Sequence, residues 1–389
     1  MTGRRNASAT GRLGASALGR HERSAPGCGG RSGGRERPPL PVGALRVAEA
    51  VGLLAGYGLD AVFGDPRRWH PVAGFGTAAS ALEKRVYAPD RVAGARFAAV
   101  AVGAPVLAGA ALAGLTRRRP VLRAVAVAAA TWTVLGARTL RAEAHTMAGA
   151  LERGDIEAAR GRLGHLCGRD PSALDEPELA RATVESVAEN TSDAVVAPLF
   201  WGAVAGLPGL LGYRAANTLD AMVGHRSPRY ARFGTVAARL DDALNLAPSR
   251  LTAALTVALA PLTRGDPARA LRIWLRDGHR HPSPNAGQCE SSMAGALGIR
   301  LGGRNVYFGR AEDRPHLGDG APPLAPDITR AARLSAAIGL AAAGLAATYR
   351  LTTALRAHRT RATTPRTPSP SAIGPSSARP SAVRAGGSR

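Results

Sequence analysis

Five stretches of this chain carry no charged side chain: 97–116, 124–137, 194–213, 251–263 and 334–349. They decide the fold class, because a bilayer core is crossed by about 20 mostly apolar residues of helix, whereas about 10 to 14 suit a buried or re-entrant segment. The first and third stretches reach 20 residues. Residues 47–63 add a sixth candidate, interrupted by Glu49 and Asp60. Arg117 to Arg119 with Pro120 make a tight turn between 97–116 and 124–137, so this pair reads as a helical hairpin. The expectation is an all-α, polytopic integral membrane protein with about four to six hydrophobic helices, polar helical loops and disordered tails. A mean hydropathy of -0.06 would suit a soluble Ala-rich helical protein, but the polar ends depress that average.

Charge is concentrated at those ends. The chain carries a formal +23, yet residues 1–46 hold nine Arg against two Glu, and residues 350–389 hold eight Arg and no acid. Both ends are rich in Gly, Ser, Pro, Thr and Ala, and too poor in large apolar side chains to offset their ordering entropy. Residues 1–41 therefore read as a disordered basic tail, 42–350 as the membrane-embedded domain and 351–389 as a disordered Arg/Pro/Ser/Thr-rich tail. Lys84 is the single lysine among 51 basic residues, a bias that follows coding composition, and no nucleic-acid partner is expected. Cys28, Cys167 and Cys289 lie far apart without zinc-site spacing, which fits a reducing compartment. The first forty residues lack the apolar core of a secretory signal.

Strict alternation would put the polar segments 138–193 and 214–250 on opposite sides of the membrane. Leu207-Pro208-Gly209 breaks the apolar segment between them. Such breaks occur where backbone lines a cavity or turns back, so we expect a re-entrant segment with both polar regions on one side.

Those regions carry the chemistry. Glu185, Glu189 and Asp193 recur every four residues, which on a helix gives one acidic face whose repulsion calls for a cation. A divalent metal carrying phosphates is the usual occupant of clustered oxygen ligands, although a solvated helix face would look the same. Asp65 follows Gly64 in a turn, and His70 is restrained by Pro71. Asn217 and Asp220 follow, then Arg239, Asp241, Asp242 and Asn245 at helical spacing, then His281, Ser283 and Asn285 in a proline-stiffened loop before Glu290. Each alone reads as a cap, an ion pair or a turn. Together they border apolar segments, where ionisable groups are costly and tend to be functional. No phosphate loop, GxSxG elbow or Ser-His-Asp order is present.

In this order GDPRRWHPV (64–72), ESVAENTSDAVVAPLF (185–200), YRAANTLDAMVGH (213–225), RYARFGTVAARLDDALNLAPSRLTA (229–253) and HPSPNAG (281–287) resemble the CobD/CbiB family of cobalamin biosynthesis, the adenosylcobinamide-phosphate synthases. The resemblance spans residues 50–303. Gln288 and Cys289 depart from what usually follows HPSPNAG in that family and receive no role.

The resemblance implies a multi-pass plasma-membrane ligase with its site loops in the cytoplasm. Using ATP and Mg2+, it would join the carboxyl of adenosylcobyric acid to the amine of aminopropanol phosphate, or of aminopropanol. By analogy with other such ligases, the carboxylate would be phosphorylated and the amine would then attack the acyl phosphate. On that reading Glu185, Glu189, Asp193, Asp220, Asp241 and Asp242 are metal candidates, and His281, with Glu189 and Asp242, is catalytic, His281 as general base. Asp65, His70, Asn190, Asn217, Arg239, Asn245, Ser283 and Asn285 would bind substrate or nucleotide. Corrinoid, aminopropanol phosphate and the bilayer are the expected partners, with a homo-oligomer or a complex with other cobalamin-pathway enzymes among the expected assemblies. A transporter, or a non-catalytic membrane scaffold for corrinoid enzymes, are the competing readings.

Overall fold

The structure is a computed structural model that describes residues 42–66, 70–225, 227–307 and 310–363. Its helices are α1 (Val42–Phe63), α2 (Pro71–Val86), α3 (Arg91–Leu115), α4 (Pro120–Val134), α5 (Ala137–Glu152) and α6 (Ile156–Leu163). They continue with α7 (Glu176–Thr191), α8 (Ala197–Leu219), α9 (Thr235–Leu259), α10 (Pro267–Asp277), α11 (Ala286–Leu297) and α12 (Ala325–Thr363). One antiparallel hairpin, β1 (Leu301–Tyr307) with β2 (Arg310–Leu317), is added to this helical body.

This is an all-α polytopic membrane protein. Five helical elements are long and apolar enough to cross a bilayer. Their large apolar side chains also point outward, as Leu107 (70% exposed) on α3 and Leu340 (66%) on α12 do, which a lipid environment accommodates and water does not. α3 and α4 are joined by the 116–119 turn, with Asp90 capping α3 and Pro120 opening α4, but the expected hairpin does not close: α3 packs against α8, and α4 against α1 and α8. α1 lies close against α4, because a Cβ on Gly52 would fall 2.7 Å from Val127 and one on Gly56 2.5 Å from Thr131. Small residues that let helices approach closely are the usual glue of membrane bundles.

The segment containing Pro208 and Gly209 does turn back. The break falls at Gly206, whose φ of 65° and ψ of -143° end the helical path. Beyond it the chain folds onto itself: a Cβ on Gly209 would meet the Trp201 carbonyl oxygen at 2.2 Å, and the Tyr213 hydroxyl reaches the Asp193 carbonyl oxygen at 3.2 Å. α8 is thus two half-helices forming a re-entrant hairpin.

Arg350 of α12 reaches the turn before this break, donating to Gly202 O at 3.0 Å. The same guanidinium pairs with Glu49 at 3.2 Å, and Arg123 pairs with Glu49 from the other side at 3.2 Å. This buried Arg–Glu–Arg group sits at the hairpin tip, far from its mouth.

The polar half gathers around the mouth. α7 opens with a capping box between Asp175 and Glu178, and π-helical turns at Ser192–Val196 and Asp220–Gly224 flank α8 on both sides. α12 runs to Thr363, so the helix continues past Arg350, where the sequence reading ends the structured part. The expected tail at 1–41 and residues 364–389 lie outside the described residues.

Candidate functional site

Three helices bring their polar ends together at the hairpin mouth. α7 contributes Glu189, the π-turn after it Asp193, the return from α8 Asp220, and α9 Asp241, Asp242 and Asn245. The loop before α11 closes the ring with Ser283 and Asn285. The result is a cleft of about 210 Å³ with five carboxylates and, among the described residues, no basic side chain in its lining. Glu189 is exposed to it, Asp193, Asp220 and Asp242 are half-buried and Asp241 is buried.

The carboxamides fix these carboxylates in place. Asn217 Nδ2 lies 3.4 Å from Asp193 Oδ2 and 3.3 Å from Asp241 Oδ1, while Asn245 Nδ2 donates to Asp241 Oδ2 at 3.0 Å and accepts from the Tyr213 hydroxyl at 2.9 Å. Asn285 donates to the Asp242 backbone carbonyl at 2.8 Å and accepts from Ser249 at 3.1 Å. Gly224 is needed beside Asp220, since a Cβ there would lie 1.8 Å from Oδ1.

Several expected residues stand elsewhere. Glu185 is turned away from the cleft and neutralised: Arg169 reaches it at 2.6 Å, Arg181 at 3.5 Å and the Gly302 amide at 2.7 Å. A four-residue step advances about 400° around a helix, so successive acids drift about 40° each, and the π-turn starting at Ser192 turns Asp193 further round. Glu185 is therefore a buried structural ion, not a metal ligand. Asn190 bonds back to the Ser186 carbonyl on its own helix at 2.9 Å. Arg239 is exposed and approaches Asp242 only to 3.7 Å, outside the lining.

His281 is also outside the lining. The Ser283 amide stands 3.0 Å from its Nδ1, and its Nε2 lies 3.1 Å from Arg314 Nη1 and 3.9 Å from Glu290, so whichever nitrogen carries the proton, the other turns its lone pair to a donor. Burial, then the charge of Arg314, lower its pKa to about 4. With both nitrogens engaged it organises the 281–285 loop and has no free lone pair to offer as a base. His70 caps α2 through the Val72 amide at 3.2 Å and stands 4.0 Å from Asp65, outside the cleft lining.

Sequence reasoning missed Ser249 and Cys289, which both line the cleft. Burial pushes the Cys289 thiol well above its ordinary pKa, so it stays protonated. Their signal was position, since Ser249 lies one helical turn beyond Asn245 and Cys289 follows the HPSPNAG loop.

Magnesium was tested against this donor set. Among the described residues no three His, Cys, Asp or Glu side chains converge on one point. The donors are nevertheless all hard oxygens, and magnesium is usually held by one or two carboxylates with the rest of its shell from water and phosphate. The lining fits a magnesium ion that arrives with a nucleotide.

A sequence model of the family described as "CobD/Cbib protein" matches residues 53–335. The chain is 53% identical over 290 residues to "Cobalamin biosynthesis protein CobD" of Mycobacterium tuberculosis (strain ATCC 25618 / H37Rv), across 74% of this chain and 92% of that one. Its identity to the protein of the same name from Geobacter metallireducens is 47% over 274 residues, 68% of this chain and 85% of that one. With the one from Chromobacterium violaceum it shares 45% over 285 residues, 71% and 88% of the two chains. No solved structure matches it significantly.

Proposed function

This chain belongs to the CobD/CbiB family, and from that membership we propose that it serves cobalamin biosynthesis as a membrane ligase, joining the carboxyl of adenosylcobyric acid to the amine of aminopropanol phosphate at the expense of ATP. The observation that carries the proposal is the cleft: five carboxylates, with no basic lining residue among the described residues, at the mouth of a membrane-embedded hairpin.

Asp193 and Asp241, steadied by Asn217, with Glu189 and Asp242 at the opening, are the residues that would hold magnesium and its nucleotide. When bound, the ion supplies neutralisation of the charge on the transferred phosphoryl group. Phosphoryl passes from ATP to the corrinoid carboxylate, and ADP leaves. The amine then attacks the acyl carbon, the amide C–N bond forms, phosphate departs and the amine releases a proton. Glu189, the most exposed of the cleft carboxylates, is placed to take that proton in the role first expected of His281. Asp220, close to the Gly224 backbone, contributes charge at the rim. The corrinoid is too large for the cleft, so its reacting side chain enters while the macrocycle stays outside. Supply of ATP places the mouth on the cytoplasmic side of the plasma membrane.

A transporter reading is less well supported. Broken membrane helices that carry ion sites present them at the break, near the midplane, whereas here the break is filled by Glu49, Arg123 and Arg350.

Amide formation by detergent-purified protein supplied with adenosylcobyric acid, aminopropanol phosphate, ATP and magnesium tests the proposal. Product that requires all four and disappears in Glu189→Gln is the expected result. A folded protein that binds corrinoid and forms no amide would overturn it in favour of a scaffold.

A further inference from the structure

Arg214 projects from the returning half of α8 towards a small cavity of about 90 Å³, lined by Pro71, Val72 and Phe75 of α2, Thr133 of α4, and Leu211 and Ala215 beside it. The residue is half-buried, and among the described residues its guanidinium makes one hydrogen bond, from Nη1 to Asn217 Oδ1 at 3.3 Å. Its Nε is buried with no partner. Asp65 and Asp193 are the carboxylates whose charge acts on it, yet it forms no ion pair with a carboxylate among the described residues. Asp65 instead faces His70 at 4.0 Å. A partly desolvated cation held by a single neutral acceptor is unfavourable until an anion joins it.

The other end of Asn217 faces the opposite charge, since its Nδ2 lies between Asp193 and Asp241. One carboxamide thus separates an unpaired guanidinium from a pair of carboxylates. A small molecule with an anion at one end and an amine at the other, a few bonds apart, matches that order of charges. Planar guanidinium forks bind phosphate oxygens two at a time.

We infer that Arg214 is the specificity residue for the amine substrate: it holds the phosphate of a phosphorylated amino alcohol, while the amine is directed past Asn217 towards Asp193 and Asp241. This rests on the ligase reading above, and it gives part of the substrate- or nucleotide-binding role expected of Arg239 to a residue that touches Asn217. Arg214 acts by selecting and orienting one substrate.

Two measurements on the full chain in detergent test it. Calorimetric titration with inorganic phosphate, without corrinoid or nucleotide, should show affinity reduced about tenfold or more in Arg214→Gln and partly restored in Arg214→Lys. In the amide assay, the ratio of kcat/KM for aminopropanol phosphate to that for free aminopropanol should fall by a similar factor in Arg214→Gln. A merely structural Arg214 would lower both values and leave their ratio intact, and that outcome overturns the inference, as does unchanged phosphate affinity. Phosphate binding that depends on Arg214 in a protein forming no amide would sustain the anion site and defeat the ligase reading instead.

Discussion

The Tyr213 hydroxyl lies 3.2 Å from the backbone carbonyl oxygen of Asp193, a residue twenty positions earlier in the chain. That closure holds the two strands of the re-entrant hairpin together at the level of the carboxylates. The same hydroxyl donates to Asn245 at 2.9 Å, which ties α9 to both. Tyr213→Phe should therefore lower stability by about 1–3 kcal/mol, the cost of buried acceptors left unsatisfied, and reduce turnover by loosening Asp241. Thermal unfolding in detergent together with kcat would check it, and unchanged values of both would show that packing alone closes the mouth.

Two glutamates one helical turn apart should respond in opposite ways. Glu189→Gln removes an exposed cleft carboxylate, so activity should fall about 100-fold or more with the unfolding temperature nearly unchanged. Glu185→Gln strips Arg169 and Arg181 of their buried counter-ion, so stability should drop by about 3–5 kcal/mol. Paired activity and denaturation curves separate the effects, and a stable but inactive Glu185→Gln protein would return that residue to the catalytic set.

Gly206 adopts a conformation that L side chains rarely take, and an added Cβ would lie 3.1 Å from Arg350 Nη2. Gly206→Ala should cost about 1–3 kcal/mol. Denaturant unfolding in micelles measures it, with Gly58→Ala as reference because a Cβ there meets nothing within 4 Å.

His281 should impose a pH slope on stability. Its folded pKa of about 4 lies below the ordinary 6.5, so between those values the unfolded chain takes up a proton that the folded chain refuses. Stability falls as pH drops from 6.5 through 4, by up to about 3 kcal/mol from this residue. His281→Gln should flatten that slope whatever its effect at pH 7. An unaltered slope would show that His281 is protonated in the folded protein.

The apolar stretches were legible because their length has a direct physical meaning in a bilayer, and the turn-back followed from Pro208 and Gly209, although the break itself falls at Gly206. The gathering of Glu189, Asp193, Asp220, Asp241 and Asp242 was legible as composition. What pattern alone could not supply was direction. Glu185 shares the four-residue spacing of Glu189 and Asp193, yet helical drift and the π-turn aim it at two arginines, one of them in the segment joining α6 to α7. His281 looked chemically apt by type, and only its surroundings reveal both nitrogens engaged. The β1–β2 hairpin also went unanticipated, since its Arg-rich strands and paired glycines at 302 and 303 show no clean alternation.

The contact between Arg350 and the Gly202 carbonyl joins residues 148 positions apart. During synthesis the hairpin leaves the ribosome long before Arg350 does, so its tip must wait in the membrane without that guanidinium while Glu49 and Arg123 already face one another. The last helix then acts as a latch, completing a site whose every carboxylate was made before it. Chains stopped short of residue 350 would hold all the cleft residues and still lack the bolt that keeps the hairpin shut.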